Sequence, residues 1–192
     1  MALSISPIAF KAVSPPSSPA IALEDRSLWQ RAGLKGAKAT DWMRENGLPI
    51  PEINAALLSD NGWLIARLAP NEYAALASTP LEASGPPPLP AYRISGDNEP
   101  GLCPVLRSAA NAWFRISGPA SATIFSKICG VDLRPKSFAN GRIAQTIVAR
   151  SSAIVIRDDA GDTLAFHVLM DWASADYLWG ALTDAAAEFC RN

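Results

Sequence analysis

Charge is scarce in this chain. Only 18% of its 192 residues are Asp, Glu, Lys or Arg, and 17 basic residues against 18 acidic ones leave a formal charge of −1. No basic stripe long enough to follow a phosphate backbone stands out, so nucleic acid is not expected as a partner. Histidine occurs once, at His167, which excludes any two-histidine metal site or histidine pair. Three cysteines, Cys103, Cys129 and Cys190, are odd in number and widely spaced. They form neither a disulfide framework nor a CxxC metal pattern, and imply a reducing, cytoplasmic setting in which Cys129 and Cys190 act as small buried hydrophobes. The phosphate-cradling patterns GxGxxG and GxxxxGK[ST] are absent, as is the GxSxG elbow of serine hydrolases. No apolar run reaches the roughly 18 residues needed to span a bilayer. The opening MALSISPIAFKAVSPPSSP lacks the charge and apolar centre of a signal peptide, and its prolines oppose a helix, so residues 1–26 are expected to be a disordered or extended arm.

Apolar residues and proline are plentiful. At 49% hydrophobic, the chain can bury a real core, roughly 70% of its unfolded surface. A low charge content also suits a protein that hides surface against a partner. Prolines 80, 86, 87, 88, 90, 100 and 104 crowd one stretch, so residues 79–104 read as a connector. It separates a first unit, 27–78, from a second, 105–192.

The two units share a phrase. GLKGAKATDWMRENGLPIP, Gly33 to Pro51, parallels WFRISGPASATIFSKICGVDLRP, Trp113 to Pro135. With Gly36 laid on Gly118, Trp42-Met43 fall on Ile124-Phe125, and one residue of slippage lays Gly47-Leu48 on Gly130-Val131. In the second copy Ala112 to Ile116 predicts a strand, Ser117-Gly118-Pro119 a helix opening at Pro119, and Ile124, Phe125 and Ile128 its inward face, with Gly130 as a left-handed C-terminal stop. In the first, Lys38 to Glu45 predicts the matching helix with Trp42 and Met43 inward, and Trp63 to Leu68 a strand ended by Pro70. Ala153 to Arg157 and Thr163 to Leu169 predict a hairpin around Asp158 to Asp162. Tyr177, Leu178, Ala181, Leu182, Ala185 and Phe189 predict a final amphipathic helix capped by Ser174. The expected fold is α+β: two related lobes, each an antiparallel-rich sheet covered by helices.

Candidate chemistry is thin. His167 lies mid-strand in LAFHVLM and reads as a strand residue satisfied by a local hydrogen bond. Asp158, Asp159 and Asp162 form the densest acidic cluster, but DDAGD departs from the calcium-loop spacing and reads as a turn. Six tryptophans suit a core, with Trp172 and Trp179, flanking the last helix, as possible partner anchors.

Several ordered blocks, WFRISGP, CGVDLRPKSF, NGRIAQT and WASADYLWGAL, resemble the gamma subunit of heterotetrameric sarcosine oxidase, well over Val105 to Phe189 and more loosely before it. The resemblance implies a small non-catalytic subunit of an αβγδ flavoenzyme that oxidatively demethylates sarcosine or a related N-methyl amine. FAD, FMN, NAD and tetrahydrofolate would sit on the partner subunits. It also implies a fold similar to the folate-binding domain of the glycine-cleavage T protein, with the repeated phrase as the trace of an internal duplication. Two departures oppose a catalytic role. The aspartate of the folate-binding DxS-type segment is replaced within Val105-Leu106-Arg107-Ser108, and the KGCYxGQE motif of iron–sulfur assembly relatives is missing after Cys129. No catalytic, cofactor or metal residue is therefore expected. The block Phe138 to Thr146, above all Arg142 and Gln145, together with Trp172 to Trp179, is the candidate surface for docking on the large subunit. A free-standing folate-binding protein of the T-protein superfamily, or an interaction module of another methylamine-oxidising assembly, are the alternatives.

Overall fold

The computed structural model describes residues 5–9, 17–80, 83, 85–92 and 99–190. In chain order the first part contains β1 (Ser17–Ser18), β2 (Ile21–Asp25), β3 (Arg31–Lys35), α1 (Ala39–Glu45), β4 (Ala55–Leu58), β5 (Trp63–Ala69), β6 (Glu72–Ala77) and β7 (Cys103–Val105). The remainder contains α2 (Arg107–Ala110), β8 (Asn111–Ser117), α3 (Ser121–Ile128), β9 (Ile143–Val148), β10 (Ser151–Arg157), β11 (Ala165–Asp171) and α4 (Ala175–Ala186).

The elements form two compact units, and their boundaries differ from the divisions expected at 26, 79 and 105. Residues 28–110 make one unit, and residues up to Ser27 join Asn111–Asn192 in the other. The expected arm supplies β2, which pairs antiparallel with β8 inside a sheet ordered β1-β2-β8-β11-β10-β9. The expected connector supplies β7, which pairs antiparallel with β3 in a sheet ordered β4-β5-β6-β3-β7. Leu89 and Leu102, also from the connector, belong to that unit's core. Composition misled here because a proline-rich chain can still donate a short edge strand; Pro104 lies in β7, the last strand of its sheet.

Each unit obeys the same pairing rule: a leading strand, then the strand that feeds a helix, then a β-meander read back from the centre. The helix entry is identical in detail. Gly36 (φ 127) and Gly118 (φ 113) both adopt left-handed φ. The amide of Gly36 donates to Asn71 O and that of Gly118 to Leu164 O. Two residues on, Lys38 N–H donates to Gly101 O at 3.1 Å and Ala120 N–H to Ala20 O at 3.0 Å. Both acceptor carbonyls lie within two residues of the start of the leading strands, β7 and β2. The helix therefore starts where backbone donors meet a carbonyl from a remote strand, and no side chain caps α1 or α3. This corrects the expected opening at Pro119, since α3 begins at Ser121.

The echo continues past the helices. Arg67 in β5 and Arg157 in β10 occupy matching positions, opposite Tyr73 and Phe166. Arg67 Nη1 donates to Pro51 O at 3.2 Å and Arg157 Nη1 to Phe138 O at 2.5 Å. Asn54 (φ 58) and Gly141 (φ 78) each donate their amide to the carbonyl of the matching arginine. At the C-terminal ends the copies diverge. Gly47 (φ 65) turns the chain after α1, whereas Gly130, expected to do the same, does not adopt left-handed φ. Instead Cys129 leaves α3 in extended geometry, and Ala149 N–H caps Ile128 O at 2.7 Å.

Packing follows the helical faces. Ile124 and Phe125 of α3 and Leu178, Trp179 and Leu182 of α4 bury against Phe114, Ile116, Phe166 and Val168. The stripe of α4 runs through Leu178, so Tyr177, expected inward, stands 54% exposed. Ser174 makes no cap; Asp171 accepts from Ala173 N–H at 2.8 Å and turns the chain through Trp172–Ser174. The hairpin of β10 and β11 forms as expected around Asp158 to Asp162. No helix among the described residues is long and apolar enough to cross a membrane.

A Cβ on Gly118 would lie 2.5 Å from Ala20 O, and one on Gly36 would press still harder on Gly101 O. Gly118→Ala should therefore cost at least about 2–3 kcal/mol of unfolding free energy, the sum of a left-handed penalty and displacement of β2. Urea denaturation showing wild-type stability would refute this account of the junction.

Candidate interaction surface

β9 is the last strand of its sheet, and the sequence around it is built to stay at the surface. Ile143 and Val148 are buried, while Gln145 and Ile147 are exposed between them. Arg142, immediately before β9, is exposed, and Gly141 makes the turn that aims it. β9 closes on β10 through Ala149 (φ 46) and Arg150 (φ 66), a two-residue turn with both central residues left-handed. Neither residue is glycine, so the turn carries strain of order 1–3 kcal/mol per residue. The bond from Ala149 to the end of α3 holds it in place. Ahead of β9, Asp132 accepts from Arg134 Nε and Nη2, both at 2.7 Å, and from Ser137 Oγ at 2.8 Å. These donors hold its carboxyl well below the usual carboxylate range.

The two tryptophans separate. Trp172 is half-buried in the turn before α4, but Trp179 is 2% exposed and tilts against Phe114 with ring centroids 5.0 Å apart. Trp179 belongs to the core, which corrects its reading as a partner anchor: the helical stripe that carries Leu178 and Leu182 turns it inward. Arg142 and Gln145 thus share one strand edge, Trp172 lies at the start of α4, and Trp179 drops out.

His167 is 2% exposed in β11. Trp113 Nε1, which can only donate, gives a hydrogen bond to His167 Nδ1 at 3.0 Å. The ring hydrogen therefore resides on Nε2 and is donated to Asp158 Oδ2 at 3.1 Å. Both ring nitrogens are committed, and burial pushes the imidazole below its ordinary range despite the neighbouring carboxylate. Two of the three aspartates in the acidic cluster are likewise used structurally. Asp158 serves His167, and Asp159 pairs with Arg157 at 2.5 Å and accepts from Ala165 N–H. Among the described residues no group of three or more His, Cys, Asp or Glu side chains could hold a metal ion. Cys129 and Cys190 are half-buried and Cys103 is exposed. Cys129 borders a hollow of about 450 Å³ at the exit of α3.

The chain is thus an α+β protein with two antiparallel sheets, and its buried His167 is paired on both ring nitrogens. Comparison with known proteins agrees on the scaffold. One chain of a heterotetrameric sarcosine oxidase from Corynebacterium sp. U-96, in complex with pyrrole 2-carboxylate, is 18% identical with a TM-score of 0.75, over 98% of this chain and 97% of that one. The glycine cleavage system aminomethyltransferase T from Bartonella henselae is 14% identical with a TM-score of 0.58, over 83% of this chain but 44% of that one. No curated protein matches by sequence. The model of the sarcosine oxidase gamma subunit family matches residues 92–188, and the chain belongs to that family.

Trp179→Ala should destabilise the chain by about 3–5 kcal/mol, while Trp172→Ala should cost under about 1.5 kcal/mol, as read by thermal unfolding. Because the folded pKa of His167 is lowered, its contribution is present above the unfolded value near 6.5 and is lost as pH falls through the folded value. The melting temperature should drop between pH 7 and 5, and His167→Gln should flatten that slope. An unchanged slope in the variant would assign the effect to other groups.

Proposed function

We propose that this chain is the non-catalytic gamma subunit of a sarcosine oxidase-type flavoenzyme, docking on and stabilising its large subunit. The family match over residues 92–188 carries the reading. The commitment of His167 and of Asp158 and Asp159 to internal bonds supports a structural role for the chain. In this reading the complex oxidatively demethylates sarcosine or a related N-methyl amine in the cytoplasm, with FAD, FMN, NAD and tetrahydrofolate on the partner subunits. The docking surface includes Arg142, Gln145 and Trp172.

An internal duplication accounts for the two units. The matched helix entries at Gly36 and Gly118, and the matched arginines Arg67 and Arg157, support a common ancestor for the two halves. Each half then lends its leading strand, β2 or β7, to the sheet that contains the other half's helix-feeding strand.

Affinity-tagged chain purified from its native host should bring down large partner chains and show flavin absorbance, and an N-methyl amine such as sarcosine should bleach it. Colourless chain purified alone would overturn the reading, and calorimetry with tetrahydrofolate would then become the deciding measurement.

A further inference from the structure

The matched halves provide an internal control for surface charge. From the end of α1 to the β4–β5 turn, residues 45–60 contain Glu45, Glu52 and Asp60 and no basic residue. The equivalent segment, from Lys127 at the end of α3 to Arg150 in the β9–β10 turn, contains five basic residues and one acidic one. Two segments that play the same architectural part therefore differ in sign, so the positive charge of 127–150 is not required by the fold.

Within that segment Lys127 pairs with Glu188 at 2.7 Å and Arg134 with Asp132 at 2.7 Å. Lys136, Arg142 and Arg150 are exposed, and their charged groups form no ion pair among the described residues. Arg142 and Arg150 flank β9, the last strand of its sheet, and Lys136 lies in the loop that leads to it; apart from Val148, which bridges to Cys129, the outer rim of β9 has no strand partner among the described residues. Ile147, 51% exposed, sits between Arg142 and Arg150. The strained turn held by α3 presents Arg150 on a fixed backbone, which lowers the entropy cost of engaging it.

We propose that the β9 edge is an electropositive docking strip for an acidic protein surface, whose carboxylates pair with Lys136, Arg142 and Arg150 and whose apolar centre covers Ile147. Resting on the subunit reading above, this assigns the partner face its chemistry: carboxylate-rich, with an apolar patch at its middle. Three cations interrupted by an exposed isoleucine suit a protein rim better than a polyanion, because an apolar centre within a polar rim is the anatomy of a protein interface.

The test uses the co-expressed complex. The wild-type complex should dissociate more readily as salt rises from 50 to 500 mM, because the screening length of exposed charge pairs falls from about 14 Å to about 4 Å over this range. The triple variant Lys136→Glu, Arg142→Glu, Arg150→Glu should weaken assembly at least tenfold at low salt while melting like wild type. Arg44→Glu, in the other half, should assemble normally. Arg142→Gln, a milder change, should raise Kd and flatten the salt dependence. Wild-type assembly matched by the triple variant, with no salt dependence, overturns the proposal and leaves the subunit reading standing. Failure of the wild-type chain itself to assemble overturns both. Binding of the isolated chain to heparin that the triple variant loses, with assembly unaffected, also overturns it in favour of a polyanion.

Discussion

The fold depends on a backbone hydrogen bond made twice. Where β3 and β8 end, glycine swings the chain into left-handed φ, and two residues later an amide at the helix entry finds a carbonyl just ahead of a leading strand. That bond supplies one of the orphan donors of the helix N-terminus without any side chain. It also ties the helix to the strand that completes the sheet. Glycine is required because a Cβ would collide with that same carbonyl, so the bond and the residue type are one constraint.

From this junction follows the division of labour in each unit. The helix is fixed at its start and packs its apolar face on the sheet, and the strand arginine then gathers the segment that leaves the helix. Arg157 has Asp159 beside it, whereas the matching position after Arg67 is Ala69, and Arg67 relies on carbonyls and the face of Tyr73. The two units thus share backbone geometry and hydrogen-bonding logic while their side-chain chemistry differs. Surface charge differs most, since no buried contact restrains it.

Much of this was legible before the structure. The repeated glycine phrase located both helix entries, and the alternation in AWFRI and the DDAGD turn located β8 and the β10–β11 hairpin. β6 was not legible: EYAALA has helical composition, yet it is a central strand whose residues from Tyr73 to Ala77 are all buried. β3 was hidden by Gly33, whose missing side chain makes room for Val105 and Arg107. Whole-chain charge balance concealed the cationic segment by averaging it against an acidic counterpart.

Sequence alone determined local events: the turns at Gly36, Gly47 and Gly118, which residues alternate, and the family to which the ordered blocks belong. Tertiary structure decided which strands complete which sheet, that Trp179 is core while Tyr177 is surface, and that His167 is neutral with its hydrogen on Nε2. The physical reason is range. Turn chemistry and periodicity act over a few residues and leave a mark in composition, whereas β2 meeting β8 or Trp113 meeting His167 joins residues dozens of positions apart, and only the folded chain brings their donors and acceptors together.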